Sequence, residues 1–208
     1  MANQADCAAF TAALRDALST QAAEGGEVAG DCTAILRALP QVLPSLRPGP
    51  PLPVVSLLDG TVGRTSGTKL EPVARAFGAY ARGSAWYTPP TYRDAGLDPA
   101  FFDNYGVVKF MGPGTDLPGR GVAGGATLQG PNIFYPPHAH PARELYIVLS
   151  GTGEWLRGTE GWTKRAPGSF IVHSSMQQHA MRTGGEPILT LWFWLGDLDT
   201  PSRITSLT

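Results

Sequence analysis

The chain has 208 residues, a length that suits one domain or one domain with a substantial extension. Sixteen Lys and Arg against 17 Asp and Glu leave a formal net charge of −1, and with no basic run this argues against phosphate-led nucleic-acid binding. No apolar stretch approaches the roughly 18–20 residues of a membrane span, and "MANQADCAAF" is not patterned as a basic leader; the expectation is a soluble, cytoplasmic protein.

Residues 5–22 have helical periodicity, with Phe10, Leu14 and Leu18 on one stripe, and Gly25-Gly26 ends the run. A second helix carries Ile35, Leu36 and Leu39, with Asp31 or Thr33 as its expected cap and Pro40 and Pro44 limiting its length. These two helices are expected to be antiparallel neighbours. Cys7 and Cys32, each near a helix start, would then lie at opposite ends, and free thiols are predicted. "RPGPPLP" reads as a linker or extended wrap, and "EPVARAFGAYARG" as a third helix opened by Glu71 and Pro72. The texture changes near residue 100. From "YGVVKFMGP" to "PILTLWFWLG" the chain is a series of short β-rich runs between Gly and Pro turns, which predicts a sandwich or barrel. The expected organisation is a helical extension over 1–104 and a β-barrel over 105–208, a mainly β fold.

All 4 histidines fall between His138 and His179. In a strand, residues of equal parity share a face, so His138, His140, Glu144 and Tyr146 converge if "HAHPAREL" runs as one strand with an irregularity at Pro141. Closed by the distant His179, two imidazoles and a carboxylate form a nitrogen and oxygen donor set. Such a set suits one divalent transition metal ion (Zn, Fe, Mn, Ni or Co) rather than Ca or Mg. His173, after the apolar "FIV", is read as a supporting or core residue.

The spacing resembles the cupin superfamily, whose fold is a double-stranded β-helix or jelly-roll barrel. His138, His140, Glu144 and Gly151 match its first motif, with Gly130 two residues farther upstream than the motif's leading glycine. Gly168 and His179 match its second motif in part, while Ser174, Met176 and Thr183 stand at its proline, glycine and asparagine positions. The longer string "YPPHAHPARELYIVLSGTGEW", with "HAMRT" and "FFDNYGVVKFMGP", is similar to the bacterial cupin-type dimethylsulfoniopropionate (DMSP) lyases, which split DMSP into dimethyl sulfide and acrylate. That resemblance implies metal ligands at His140, Glu144 and His179 with His138 beside them, and active-site tyrosines at Tyr135 and Tyr146.

The residues suit this β-elimination. A metal-held carboxylate stabilises the enolate-like charge, and an ionisable phenol on the ligand face can take the proton; Tyr146 is the expected base and Tyr135 its partner or substitute. A sulfonium has no N–H to donate, so aromatic faces are the suitable device, and Trp155, Trp194, Tyr80 and Tyr92 are the candidates. The resemblance implies a small zwitterionic substrate. Another metal-dependent cupin enzyme acting on a small carboxylate, an iron dioxygenase or an isomerase, is the alternative. A sensor ranks last, because no DNA-binding pattern is present. The helices either cover the barrel mouth or join a second copy in a homodimer; both give the same pattern.

Overall fold

The computed structural model describes residues 2–205, so residue 1 and residues 206–208 of the two expected segments lie outside the described residues. Five α-helices come first: α1 (Gln4–Glu24), α2 (Ala29–Ala38), α3 (Leu58–Gly63), α4 (Glu71–Ala81) and α5 (Pro99–Asp103). Two 3₁₀ helices, Pro53–Leu57 and Pro90–Ala95, lie between them. The strands follow as β1 (Tyr105–Met111), β2 (Val122–Gln129), β3 (Phe134–Ala139), β4 (Arg143–Ser150), β5 (Gly153–Arg157), β6 (Trp162–Arg165), β7 (Phe170–His173), β8 (His179–Thr183), β9 (Ile188–Leu195) and β10 (Arg203–Ile204).

They form two five-stranded antiparallel sheets, in the orders β1-β2-β9-β4-β7 and β10-β3-β8-β5-β6. This is the jelly-roll arrangement expected from the motif spacing.

Strand alternation divides the core in two. Val108 and Phe110 of β1, Ala126 and Leu128 of β2, Leu145, Ile147 and Leu149 of β4, and Leu191 and Phe193 of β9 face outward from the first sheet. There they meet Phe10, Leu14 and Leu18 of α1, Ile35 of α2 and Phe77 and Tyr80 of α4. Phe10 stacks on Tyr80 at 4.9 Å and meets the edge of Phe110 at 5.6 Å. The apolar helix faces are therefore spent on the outer wall of the barrel. The opposite faces of the same strands, with Tyr105, Val107, Tyr146, Val148 and Trp192, build the barrel interior.

Two local expectations change. The second helix starts at Ala29 behind Val28, with no side-chain cap, and Asp31 lies inside its first turn. The Asp31 carboxylate instead receives Arg143 through Nε at 2.8 Å and Nη2 at 2.9 Å, pinning α2 to the start of β4. "HAHPAREL" is not one strand. The chain leaves β3 after Ala139, turns at Pro141-Ala142, and enters β4 in the other sheet. Cys7 and Cys32 are free and buried, as expected. Among the described residues, no helix is long and apolar enough to cross a membrane.

Candidate active site

The two sheets part at one end of the barrel around a cavity of about 330 Å³, walled by His138, His140, Glu144, Tyr146, Tyr135 and Trp194 among others. Two irregularities aim these side chains. Tyr135 and His138 have opposite parity and would point apart on a regular strand. Between them the register against β8 slips, with Tyr135 opposite Met181 and His138 opposite His179. Pro136 and Pro137, which carry no N–H for the ladder, occupy the resulting bulge, and both flanking side chains reach the cavity. The second irregularity is the crossing at Pro141, which lets two sheets supply one site.

His140, Glu144 and His179 offer ligand atoms that all lie within 4.8 Å of one another, and all three side chains are buried. His140 Nε2 and His179 Nε2 each stand 3.1 Å from Glu144 Oε2. Metal bonds of about 2.0–2.1 Å would put tetrahedral ligand atoms about 3.3–3.4 Å apart, so the spacing fits a small divalent ion.

The tautomers fit as well. His140 Nδ1 hydrogen-bonds the Ala142 carbonyl at 3.0 Å and His179 Nδ1 the Gln177 carbonyl at 2.8 Å, so each Nδ1 carries its proton outward and each Nε2 faces the site. His179 Nε2 is buried without a hydrogen-bond partner despite its closeness to Glu144. An orphaned buried nitrogen is what a missing cation would explain.

Glu144 Oε1 accepts from Trp194 Nε1 at 2.8 Å, leaving Oε2 for the two imidazoles. Burial alone would raise the Glu144 carboxyl, but His140 and His179 outweigh it and hold it well below its ordinary value. Burial pulls His140 down, yet the charge and hydrogen bond of Glu144 lift it above its ordinary value.

His138 lies outside this trio. Its Nδ1 donates to the Pro136 carbonyl at 2.9 Å, its ring stacks on Tyr135 at 3.9 Å, and burial with His179 nearby keeps it neutral. His173 occupies β7 opposite Glu144 and stacks flat on His179 at 4.0 Å.

The tyrosines gather more densely than the motif implies. Tyr146 and Tyr135 both line the cavity, the Tyr92 and Tyr135 hydroxyls are hydrogen-bonded, and the Tyr105 ring lies 4.8 Å from Tyr135. Burial pushes Tyr146 well above its ordinary value, and the Glu144 charge adds to this. Burial raises Tyr92 to about 12. These directions hold without a cation, whose charge would oppose that of Glu144.

The aromatic candidates divide. Trp194 lines the cavity and stacks on His140 at 4.2 Å, and Tyr92 lines it from the 3₁₀ helix Pro90–Ala95. Tyr80 does not reach it: α4 points the ring into the helix-side core, where its hydroxyl donates to the Pro44 carbonyl at 2.8 Å. Trp155 does not line it either. On β5 it is fully buried behind Tyr146, with ring centroids 6.5 Å apart. Sequence reasoning missed Tyr105, Lys109, Thr127 and Trp192, all of which line the cavity. The alternation in "YGVVKFM" carried a signal for the first two, since positions 105, 107 and 109 share a face.

Known proteins resemble this chain along most of its length. A family model described as dimethylsulfoniopropionate lyase matches residues 27–190. Dimethylsulfoniopropionate lyase DddQ of Ruegeria pomeroyi is 30% identical over 165 residues, spanning 77% of this chain and 81% of that one. The crystal structure of DMSP lyase DddQ from Ruegeria pomeroyi has a TM-score of 0.72 at 27% identity, covering 93% of this chain and 96% of that chain. A chain from the crystal structures of the DMSP lyases RdDddP and RnDddQII gives 0.73 at 26% identity, with 95% and 98% covered.

Proposed function

Because this chain belongs to the dimethylsulfoniopropionate lyase family, we propose that it cleaves DMSP to dimethyl sulfide and acrylate with one divalent transition metal ion bound. His140, Glu144 and His179 hold the ion, with His138 beside them. When bound, the ion acts as a Lewis acid that draws electron density from the substrate carboxylate. Trp194 engages Glu144 Oε1 and leaves Oε2 to the site, and the Ala142 and Gln177 carbonyls fix the two histidine tautomers.

Tyr146, as the phenolate that the charge of a bound divalent ion would favour, takes the proton from the carbon beside the carboxylate. The C–H electrons form the C=C bond, the C–S bond breaks, and the sulfide leaves with its electron pair as a neutral molecule. Tyr135, hydrogen-bonded to Tyr92, borders the same space and keeps a second phenol in reach. The Trp194 and Trp192 indoles and the Tyr92 ring give the sulfonium electron-rich faces without any donor it cannot use. The candidate ligand and tyrosine side chains are themselves buried, which strengthens the charge interactions among them.

One observation supports the reading most. A phenol two residues beyond Glu144 shares one cavity with a convergent His/Glu/His group, in which one buried nitrogen lacks a hydrogen-bond partner. The test is headspace measurement of dimethyl sulfide from protein stripped of metal and then reloaded, with oxygen excluded because elimination consumes none. Reloaded protein should release the sulfide, and Tyr146→Phe should lose at least about 100-fold in turnover, the usual scale of acid–base catalysis, with metal still bound. No release overturns the lyase assignment; near-normal rates in both Tyr146→Phe and Tyr135→Phe overturn the tyrosine base.

A further inference from the structure

Lys109 is the only lysine or arginine that lines the cavity among the described residues. It is half-buried, makes no ion pair among the described residues, and donates to the Pro113 carbonyl at a long 3.3 Å. Burial without a carboxylate partner pulls its ammonium below the ordinary lysine value. A partly desolvated cation facing a cavity without an ion-pair partner costs stability unless an anion enters that cavity.

The sheet places this lysine with some care. Lys109 pairs with Gly125, Gly125 with Trp192, and Trp192 with Tyr146, so one row crosses four strands from the ammonium to the phenol. Gly125 leaves the middle of that row bare. A Cβ there would lie 2.3 Å from Trp192 Cζ2 and 2.5 Å from the Val108 carbonyl oxygen, so only glycine lets the indole occupy the space. The row therefore reads ammonium, indole, phenol. Directly after Lys109 the β1 register slips, and Met111, of the same parity, faces the helix-side core instead. The bulge ends the cavity-facing run at the lysine. Lys109 and Tyr87 also border a second groove, so the ammonium stands where the cavity opens toward the surface.

We propose that Lys109 is the entry-side carboxylate contact of this cavity, meeting the carboxylate of the substrate on its way to the ion and that of acrylate on its way out. This rests on the lyase reading. Both ligands carry one carboxylate, and acrylate has no sulfonium, so the product isolates the interaction. Lys109 sets affinity and leaves the chemical step to the ligand and tyrosine groups.

The experiment compares metal-loaded wild-type protein, Lys109→Met and Lys109→Arg. Acrylate binding is read by calorimetry, with trimethylsulfonium as a probe that has the cation and no carboxylate. Lys109→Met keeps the apolar stem and should weaken acrylate about tenfold, or about 1.4 kcal/mol, with trimethylsulfonium unchanged. Lys109→Arg should restore most of the loss. The DMSP KM should rise by a similar factor in Lys109→Met, with kcat within about twofold. Unchanged acrylate affinity overturns the assignment, as does an equal loss for trimethylsulfonium, which marks a merely structural role. Should Lys109→Met melt early, Lys109→Gln carries the same comparison. Wild-type protein that releases no dimethyl sulfide removes the lyase reading, whereas the acrylate arm still reports on Lys109 alone.

Discussion

Replacing Trp194 with phenylalanine separates the ligand-supporting hydrogen bond from the ring that makes it. In the folded protein Trp194 Nε1 donates to Glu144 Oε1 at 2.8 Å, and its ring stacks on His140 at 4.2 Å. Phenylalanine keeps an aromatic face for the imidazole and deletes the donor together with part of the indole's bulk. Glu144 is 2% exposed, so no water replaces that donor freely, and the cost of an unmet hydrogen bond to a buried charge is about 1.5–3 kcal/mol. His140 and His179 still neutralise the other oxygen, which points to the lower end of that range. Groups that support metal ligands typically change metal affinity 10–100-fold, or about 1.4–2.8 kcal/mol, a range that overlaps the hydrogen-bond figure. We expect Trp194→Phe to bind Co(II) about tenfold more weakly, followed by ligand-field absorption as metal-free protein is titrated and checked by chelator competition. Cobalt affinity within twofold of wild type would refute the reasoning, because Glu144 would then need no second support to present Oε2.

Metal affinity should also depend on pH. His140 holds its proton above its ordinary value against Glu144, and a metal must displace that proton from Nε2. Affinity should rise with pH through this raised value and then level, with one proton released per ion, whereas a flat profile between about pH 5.5 and 8 contradicts the assignment. Asp31→Ala should weaken the fold and spare the chemistry. The Arg143 side chain is 35% exposed, so solvent screening limits the pair to about 1 kcal/mol, or about 2–4 °C in thermal midpoint at this length. A calorimetric scan showing no shift would mean that α2 is held by its apolar face alone.

Much of this protein is legible without coordinates because its signals are local. The period of Phe10, Leu14 and Leu18 finds α1, the alternation through Leu145, Ile147 and Leu149 finds a strand, and Trp192, Phe193 and Trp194 face both ways as three successive strand residues must. Donor chemistry is local too, so His138, His140, Glu144 and His179 can be named as candidate donors from residue type and spacing, while the family resemblance narrows them to His140, Glu144 and His179. Other choices depend on where a chain segment goes after it leaves its own neighbourhood. Tyr80 and Tyr92 look alike as upstream aromatics, yet one is turned into the helix layer and the other is carried to the cavity. Asp31 has the composition of a helix cap and becomes half of an ion pair with a residue 112 positions away. The bulge at Pro136-Pro137 and the crossing at Pro141 break the parity rule at the two points where the site needs it broken. Strand period and donor type are properties of a few adjacent residues, whereas a sheet crossing or a slipped register is settled by the competition of whole sheets for hydrogen bonds and core volume. That is why the ligand types could be named from the chain, while the row from Lys109 over Gly125 to Tyr146 appears only once the strands are paired.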